Sequence, residues 1–123
     1  MAFVQLAEGE LHYQIEGPED APVLVLSNSL GTDLHMWDAQ IAAFTEHFRV
    51  LRFDTRGHGL SLVTPGPYSI EQLGHDVLAL LDALHIERAH FCGLSMGGLI
   101  GQWLGINAAD RLNKLVVCNT AAK

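Results

Sequence analysis

The stretch Ala89-His90-Phe91-Cys92-Gly93-Leu94-Ser95-Met96-Gly97-Gly98-Leu99-Ile100 decides how the rest of the chain reads. The apolar run at its start predicts a strand over Ala89 to Cys92, and the spacing that follows predicts a helix over Met96 to Ile106. Between them lies Gly93-Leu94-Ser95-Met96-Gly97, a G-x-S-x-G pattern. A chain that turns sharply from strand into helix holds its central residue in a strained conformation with the side chain projecting forward. Side chains two residues to either side would then collide, which accounts for both glycines. The same turn sets the Ser95 hydroxyl and the Met96 N–H at the positive end of a helix, where a developing oxyanion is stabilised. With twelve glycines in 123 residues the five-residue pattern alone is a weak signal, and the flanking strand and helix carry the reading. Gly98 tightens the same turn, while Gly101 and Gly105, one helical turn apart, point to a helix face lying close to a sheet.

Outward from this turn, short apolar runs alternate with helical stretches. Phe3 to Leu6 and Leu11 to Glu16, joined by Glu8-Gly9-Glu10, read as an opening hairpin. Val23-Leu24-Val25-Leu26 is an uninterrupted apolar run, as expected of a strand buried on both faces. Trp37, Ile41 and Phe44 share a helical face, and Val50 to Phe53 is another short strand. The longest helix spans Ser69 to Leu84, with Ile70, Leu73, Val77, Leu80, Leu81 and Leu84 on one side. Ser69 and Gln72 make a capping-box start for it. Leu112 to Cys118 is the last strand. This order defines an α/β fold with a mostly parallel sheet of about six strands and flanking helices, in one domain over residues 1–123.

Composition removes several classes of function. Seven Lys and Arg face fourteen Asp and Glu for a formal charge of −7, and the basic residues form no stripe, which argues against nucleic-acid binding. No apolar stretch approaches the roughly 18 residues of a membrane span, and Met1 to Glu10 has no signal-peptide pattern, so a cytoplasmic location is expected. The seven His residues are scattered, with no second ligand one turn from His75 or His85, so no metal site is expected. Cys92 and Cys118 read as buried, inert thiols, and Trp37 and Trp103 as core anchors.

Two further segments stand after strands. Leu26-Ser27-Asn28-Ser29-Leu30-Gly31 follows the central apolar strand, at the end of the sheet where open α/β folds bind ligands. Its polar composition suits a backbone N–H aimed at a carbonyl oxygen. Asn28 and Ser29, with Trp37 close behind, are candidates to border a pocket. The other segment is Asp54-Thr55-Arg56-Gly57-His58-Gly59-Leu60-Ser61. Asp, His and Ser in one tight turn bond to each other and to backbone, whereas triad members converge from separate strands. His58 is therefore expected to stabilise its turn and not to act as a general base.

Taken together, L-S-N-S-L-G-T-D-L-H-M-W (26–37), F-D-T-R-G-H-G (53–59), F-C-G-L-S-M-G-G (91–98) and V-C-N-T-A-A (117–122) resemble the α/β-hydrolase family, within it the 3-oxoadipate enol-lactonase branch. Most members carry His-Gly where this chain has Asn28-Ser29, and the enol-lactonases share the departure. The resemblance implies Ser95 as nucleophile, with the Met96 and Leu30 N–H groups as oxyanion donors. It implies attack on a lactone or ester carbonyl, ring opening with loss of an enolate, and hydrolysis of the acyl-enzyme, without cofactor or metal. An anionic lactone would need a cation, for which Arg56 is the candidate. Carboxylesterase, perhydrolase or C–C hydrolase chemistry, or a non-catalytic module that binds a partner, remain alternatives on this scaffold.

In this family the acid and His of the triad follow the nucleophile in the chain. Here Asp110 is the one carboxylate after Ser95 and no His follows it. The resemblance thus implies a truncated core: an amino-terminal half without lid, acid or base, expected to be inactive alone. It also leaves Leu115 to Cys118 as an apolar edge strand open to self-association or to a complementing carboxyl-terminal half.

Overall fold

The computed structural model describes residues 2–119. The expected hairpin forms from β1 (Ala2–Leu6) and β2 (Gly9–Glu16), followed by β3 (Val23–Ser27), α1 (Asp38–Phe44) and β4 (Arg49–Phe53). Then come α2 (Ile70–Ala83), β5 (Ala89–Leu94), α3 (Met96–Asn107) and β6 (Leu112–Cys118). The strands lie in the order β1-β2-β4-β3-β5-β6. β1 and β2 pair antiparallel, as do β2 and β4, while the β4–β3, β3–β5 and β5–β6 pairs are parallel.

Period-two side-chain alternation sorts the core into two layers. Val25, Leu51, Phe53 and Phe91 turn to one face and pack with Leu73, Val77 and Leu80 of α2 and Ile100 and Leu104 of α3. Leu24, Leu26 and Val50 turn to the other and pack with Trp37 and Ile41. Burying a Leu, Val or Phe side chain of this kind contributes about 1.5–3 kcal/mol. α2 forms as its sequence predicts, with the Gln72 N–H donating to Ser69 Oγ at 3.0 Å. The helix read from Trp37 onward starts differently. Residues Leu34–Trp37 make a 3-10 turn whose N-cap is Asp33, its carboxylate accepting the His35 N–H, and α1 begins only at Asp38.

The layers also explain where a site can form. β3 leads into α1 on one face, whereas β5, its neighbour, leads into α3 on the other. Two adjacent parallel strands whose exits diverge leave a crevice at their carboxyl ends, the place where open α/β sheets bind ligands.

At the far edge, Leu115, Val116 and Val117 of β6 are 38%, 53% and 38% exposed, so this strand is an open apolar edge among the described residues. The reading of both cysteines as buried is corrected here. Cys118 is exposed because it lies on that edge, and Cys92 is half-buried. Burial pushes the Cys92 thiol above its ordinary pKa, with Cys118 nearby adding to the shift. Iodoacetamide at neutral pH should therefore alkylate Cys118 well before Cys92, as peptide mapping of a time course would show.

Gly74 in α2 lies directly beneath the Trp103 ring of α3, which also packs on His75 with ring centroids 4.9 Å apart. In an open helix Gly→Ala would gain about 1 kcal/mol of propensity. Here the new methyl would have to displace an indole, so Gly74→Ala should instead cost about 1–3 kcal/mol, read as a lowered midpoint in urea unfolding.

Candidate active site

Ser95 sits between β5 and α3 with φ 57° and ψ −113°, a left-handed conformation that a non-glycine residue holds only when its surroundings impose it. Those surroundings are visible. A Cβ on Gly93 would run into the Gly97 carbonyl, and a Cβ on Gly97 into the Ser27 carbonyl at the end of β3. The Ser95 N–H donates to the Cys118 carbonyl of β6 at 2.8 Å, and the Ser95 carbonyl accepts from the Gly98 N–H at 2.9 Å. The turn is thus gripped by strands on both sides. Deeper in α3, Gly101 and Gly105 face Leu115, and Gly101 also faces Phe91, the close helix-to-sheet approach that their spacing implied.

The loop after β3 is tied to this turn. The Gly97 N–H donates to the Asn28 carbonyl at 3.1 Å. The Asn28 side chain is fully buried: its amide donates to the Phe53 carbonyl at 2.8 Å and its oxygen accepts the Trp37 indole N–H at 2.8 Å. As pocket-lining candidates Asn28 and Trp37 are corrected by this placement, since both spend their polar groups on each other and on the sheet. Ser29 is half-buried, its N–H directed at Met36 Sδ at 3.4 Å, and its carbonyl accepts from Thr32 Oγ1 at 2.7 Å. The Leu30 side chain is 71% exposed. Among the described residues neither the Leu30 nor the Met96 N–H donates to another protein group.

The segment after β4 organises the floor. Asp54 is 2% exposed; its carboxylate accepts the Leu34 N–H at 2.8 Å, the Leu60 N–H at 2.9 Å and His12 Nδ1 at 2.7 Å. Ser61 Oγ donates to the Asp54 carbonyl at 2.6 Å and accepts the His12 N–H at 2.9 Å. This Asp–His–Ser cluster is a fastening between β2 and two loops: the Ser61 hydroxyl meets the His12 backbone and not its ring. Between Gly31–Asp33 with Met36 on one side and Gly57–Gly59 on the other lies an open hollow of about 600 Å³, which Ser95 does not line. Among the described residues no group of three His, Cys, Asp or Glu side chains is placed to hold a metal ion, and no helix is long and apolar enough to cross a membrane.

Arg56 is not the substrate cation that its sequence position suggested. It is 4% exposed, and its guanidinium makes a two-pronged pair with Asp76 of α2, both bonds at 2.9 Å, and a third bond to Glu8 at 2.6 Å. Asp76 first, then Glu8, holds the group protonated well above its ordinary range. Nothing in the sequence linked residues 56 and 76 except that an Asp on the apolar side of a helix needs a partner.

The geometry is that of a strained strand-to-helix turn at Ser95 beside the loop that follows β3. Residues 22–123 match the α/β-hydrolase fold family, and the chain belongs to that family. It is 57% identical over 113 residues to 3-oxoadipate enol-lactonase 2 of Acinetobacter baylyi, covering 92% of this chain and 42% of that one. The crystal structure of an enol-lactonase from Burkholderia xenovorans superposes with a TM-score of 0.96 at 57% identity, over 99% of this chain and 48% of that one. A hydrolase from Pseudomonas aeruginosa gives 0.96 at 56% identity, over 98% and 46%. The chain therefore spans less than half the length of these relatives.

Removing one partner of the buried Arg56–Asp76 pair leaves an uncompensated charge. Asp76→Asn should cost about 3–5 kcal/mol in urea unfolding, whereas Glu8→Gln, at the exposed end of the cluster, should cost less than about 1 kcal/mol.

Proposed function

We propose that this chain is the nucleophile-bearing part of a serine hydrolase acting on 3-oxoadipate enol-lactone or a similar lactone in the cytoplasmic breakdown of aromatic compounds. The observation that carries the reading is the strained Ser95 turn held against a β3 loop with Asn28-Ser29 where most of the family has His-Gly. The enol-lactonase names of two relatives and one solved structure support the substrate class. In this reading Ser95 Oγ attacks the ring carbonyl and the Met96 and Leu30 N–H groups receive the oxyanion. The ring oxygen leaves as an enolate that tautomerises to the ketone, which makes the step hard to reverse, and water then releases the acyl group. The base and acid come from outside residues 1–123, supplied by a carboxyl-terminal portion that pairs with the open β6 edge. No cofactor, metal, nucleic acid or membrane takes part.

Loss of triad members elsewhere costs on the order of 10⁴ to 10⁶ in rate. Residues 1–123 alone should show no lactone turnover and no labelling of Ser95 by a fluorophosphonate probe. Mixed with the carboxyl-terminal portion of an enol-lactonase, the chain should gain both, and Ser95→Ala should abolish both. Turnover by 1–123 alone within tenfold of an intact relative and abolished by Ser95→Ala would overturn the outside base and acid, and turnover by the mixture that survives Ser95→Ala would overturn Ser95 as nucleophile.

A further inference from the structure

His58 does more than close its own turn. Its Nδ1 lies 3.2 Å from the Arg56 carbonyl and its Nε2 lies 2.9 Å from the Gly31 N in the loop after β3. A carbonyl can only accept and a backbone N–H can only donate. One neutral tautomer satisfies both: Nδ1 carries the proton and donates to Arg56, while the Nε2 lone pair accepts the Gly31 N–H. The Arg56 end of this link is fixed, since Asp76 and Glu8 hold the guanidinium and Thr55 and Ser61 close the turn around His58.

The loop end is equally informative. Leu30 lies between two peptide groups. The one before it is oriented by Thr32 Oγ1 on the Ser29 carbonyl at 2.7 Å, and the one after it by His58 on the Gly31 N–H. Because a trans peptide is planar with its N–H opposite its C=O, fixing the Ser29 carbonyl also aims the Leu30 N–H. Fixing the next peptide stops Leu30 from rotating about its own φ and ψ. Gly31, at φ 79°, supplies the bend that lets both bonds form at once.

We propose that His58 is a positioning residue for the oxyanion loop: through the Gly31 N–H it holds the Leu30 N–H in the direction required to receive the lactone oxyanion. This rests on the hydrolase reading above and assigns His58 no contact with substrate.

The bond itself can be read without activity. In uniformly ¹⁵N-labelled chain, a through-hydrogen-bond N–N coupling should link the Gly31 amide to His58 Nε2, and its absence overturns the proposal. The kinetic arm uses the complemented enzyme. His58→Ala should lower kcat about 10–100-fold with KM within about twofold, because donor aim matters in the transition state and little in substrate binding. His58→Gln, whose side-chain oxygen can accept the Gly31 N–H, should recover most of the loss. Equal loss in both variants, or a His58→Ala enzyme within twofold of the parent, overturns the proposal. Activity surviving Ser95→Ala would instead overturn the hydrolase reading beneath it, and the N–N coupling would still decide whether the bond exists.

Discussion

The structure depends on how closely the start of α3 approaches the end of β3. Gly97 lies against the Ser27 carbonyl with no room for a methyl group, and its N–H donates to the Asn28 carbonyl. That contact forces the chain out of β5 through a left-handed Ser95, and it fixes the first residues of the β3 loop by the same bond. The strain at Ser95, of order 1–3 kcal/mol in such conformations, is offset by sheet pairing on both sides and by helix packing on Phe91 and Leu115. The Ser95 turn and its facing loop are one unit here, not two neighbouring features.

Around that unit the protein uses buried polar groups as fasteners. Asp54 collects backbone N–H groups from both flanking loops, and Gly59 is present because the Asp54 carboxylate occupies the space where a side chain would go. Asn28 joins β4 to the Trp37 indole. Each of these groups is costly to bury alone and satisfied only in this arrangement, so a misplaced loop would leave several donors and acceptors unpaired at once. Among the described residues His12 Nε2, in the Asp54 cluster, is buried without a hydrogen-bond partner.

The sequence made the sheet and helices legible because their signals are local. The apolar run of Val23 to Leu26, the face of α2 and its Ser69 cap each follow from neighbours within a few residues. The strained turn was legible partly for the same reason, as Gly93 reports a collision with a carbonyl four residues on, whereas Gly97 is required by Ser27, far back in the chain. The Arg56–Asp76 pair was not, nor the reach of His58 to Gly31, nor the use of Asn28 as an internal strut. Each joins segments well separated in the chain, and a polar residue after a strand reads alike whether it faces a ligand or its own fold. Cys118 reads as buried from its apolar neighbours alone, but it shares the open edge expected of Leu115 to Cys118 and is exposed there.

The Ser95 turn also constrains the order in which this polypeptide can fold. α3 carries Gly97, Gly98, Gly101 and Gly105, each weakening a helix by about 1 kcal/mol relative to Ala, so it gains little from local propensity. Its partners are α2 and the strands β3, β5 and β6, and the pairing of Ser27 with Gly93 closes a long loop before the packing on the sheet is rewarded. The hairpin β1–β2 and helix α2 can form from near neighbours, but the segment bearing Ser95 must wait for the parallel sheet. In kinetic terms, topology makes the left-handed Ser95 turn a late product of folding.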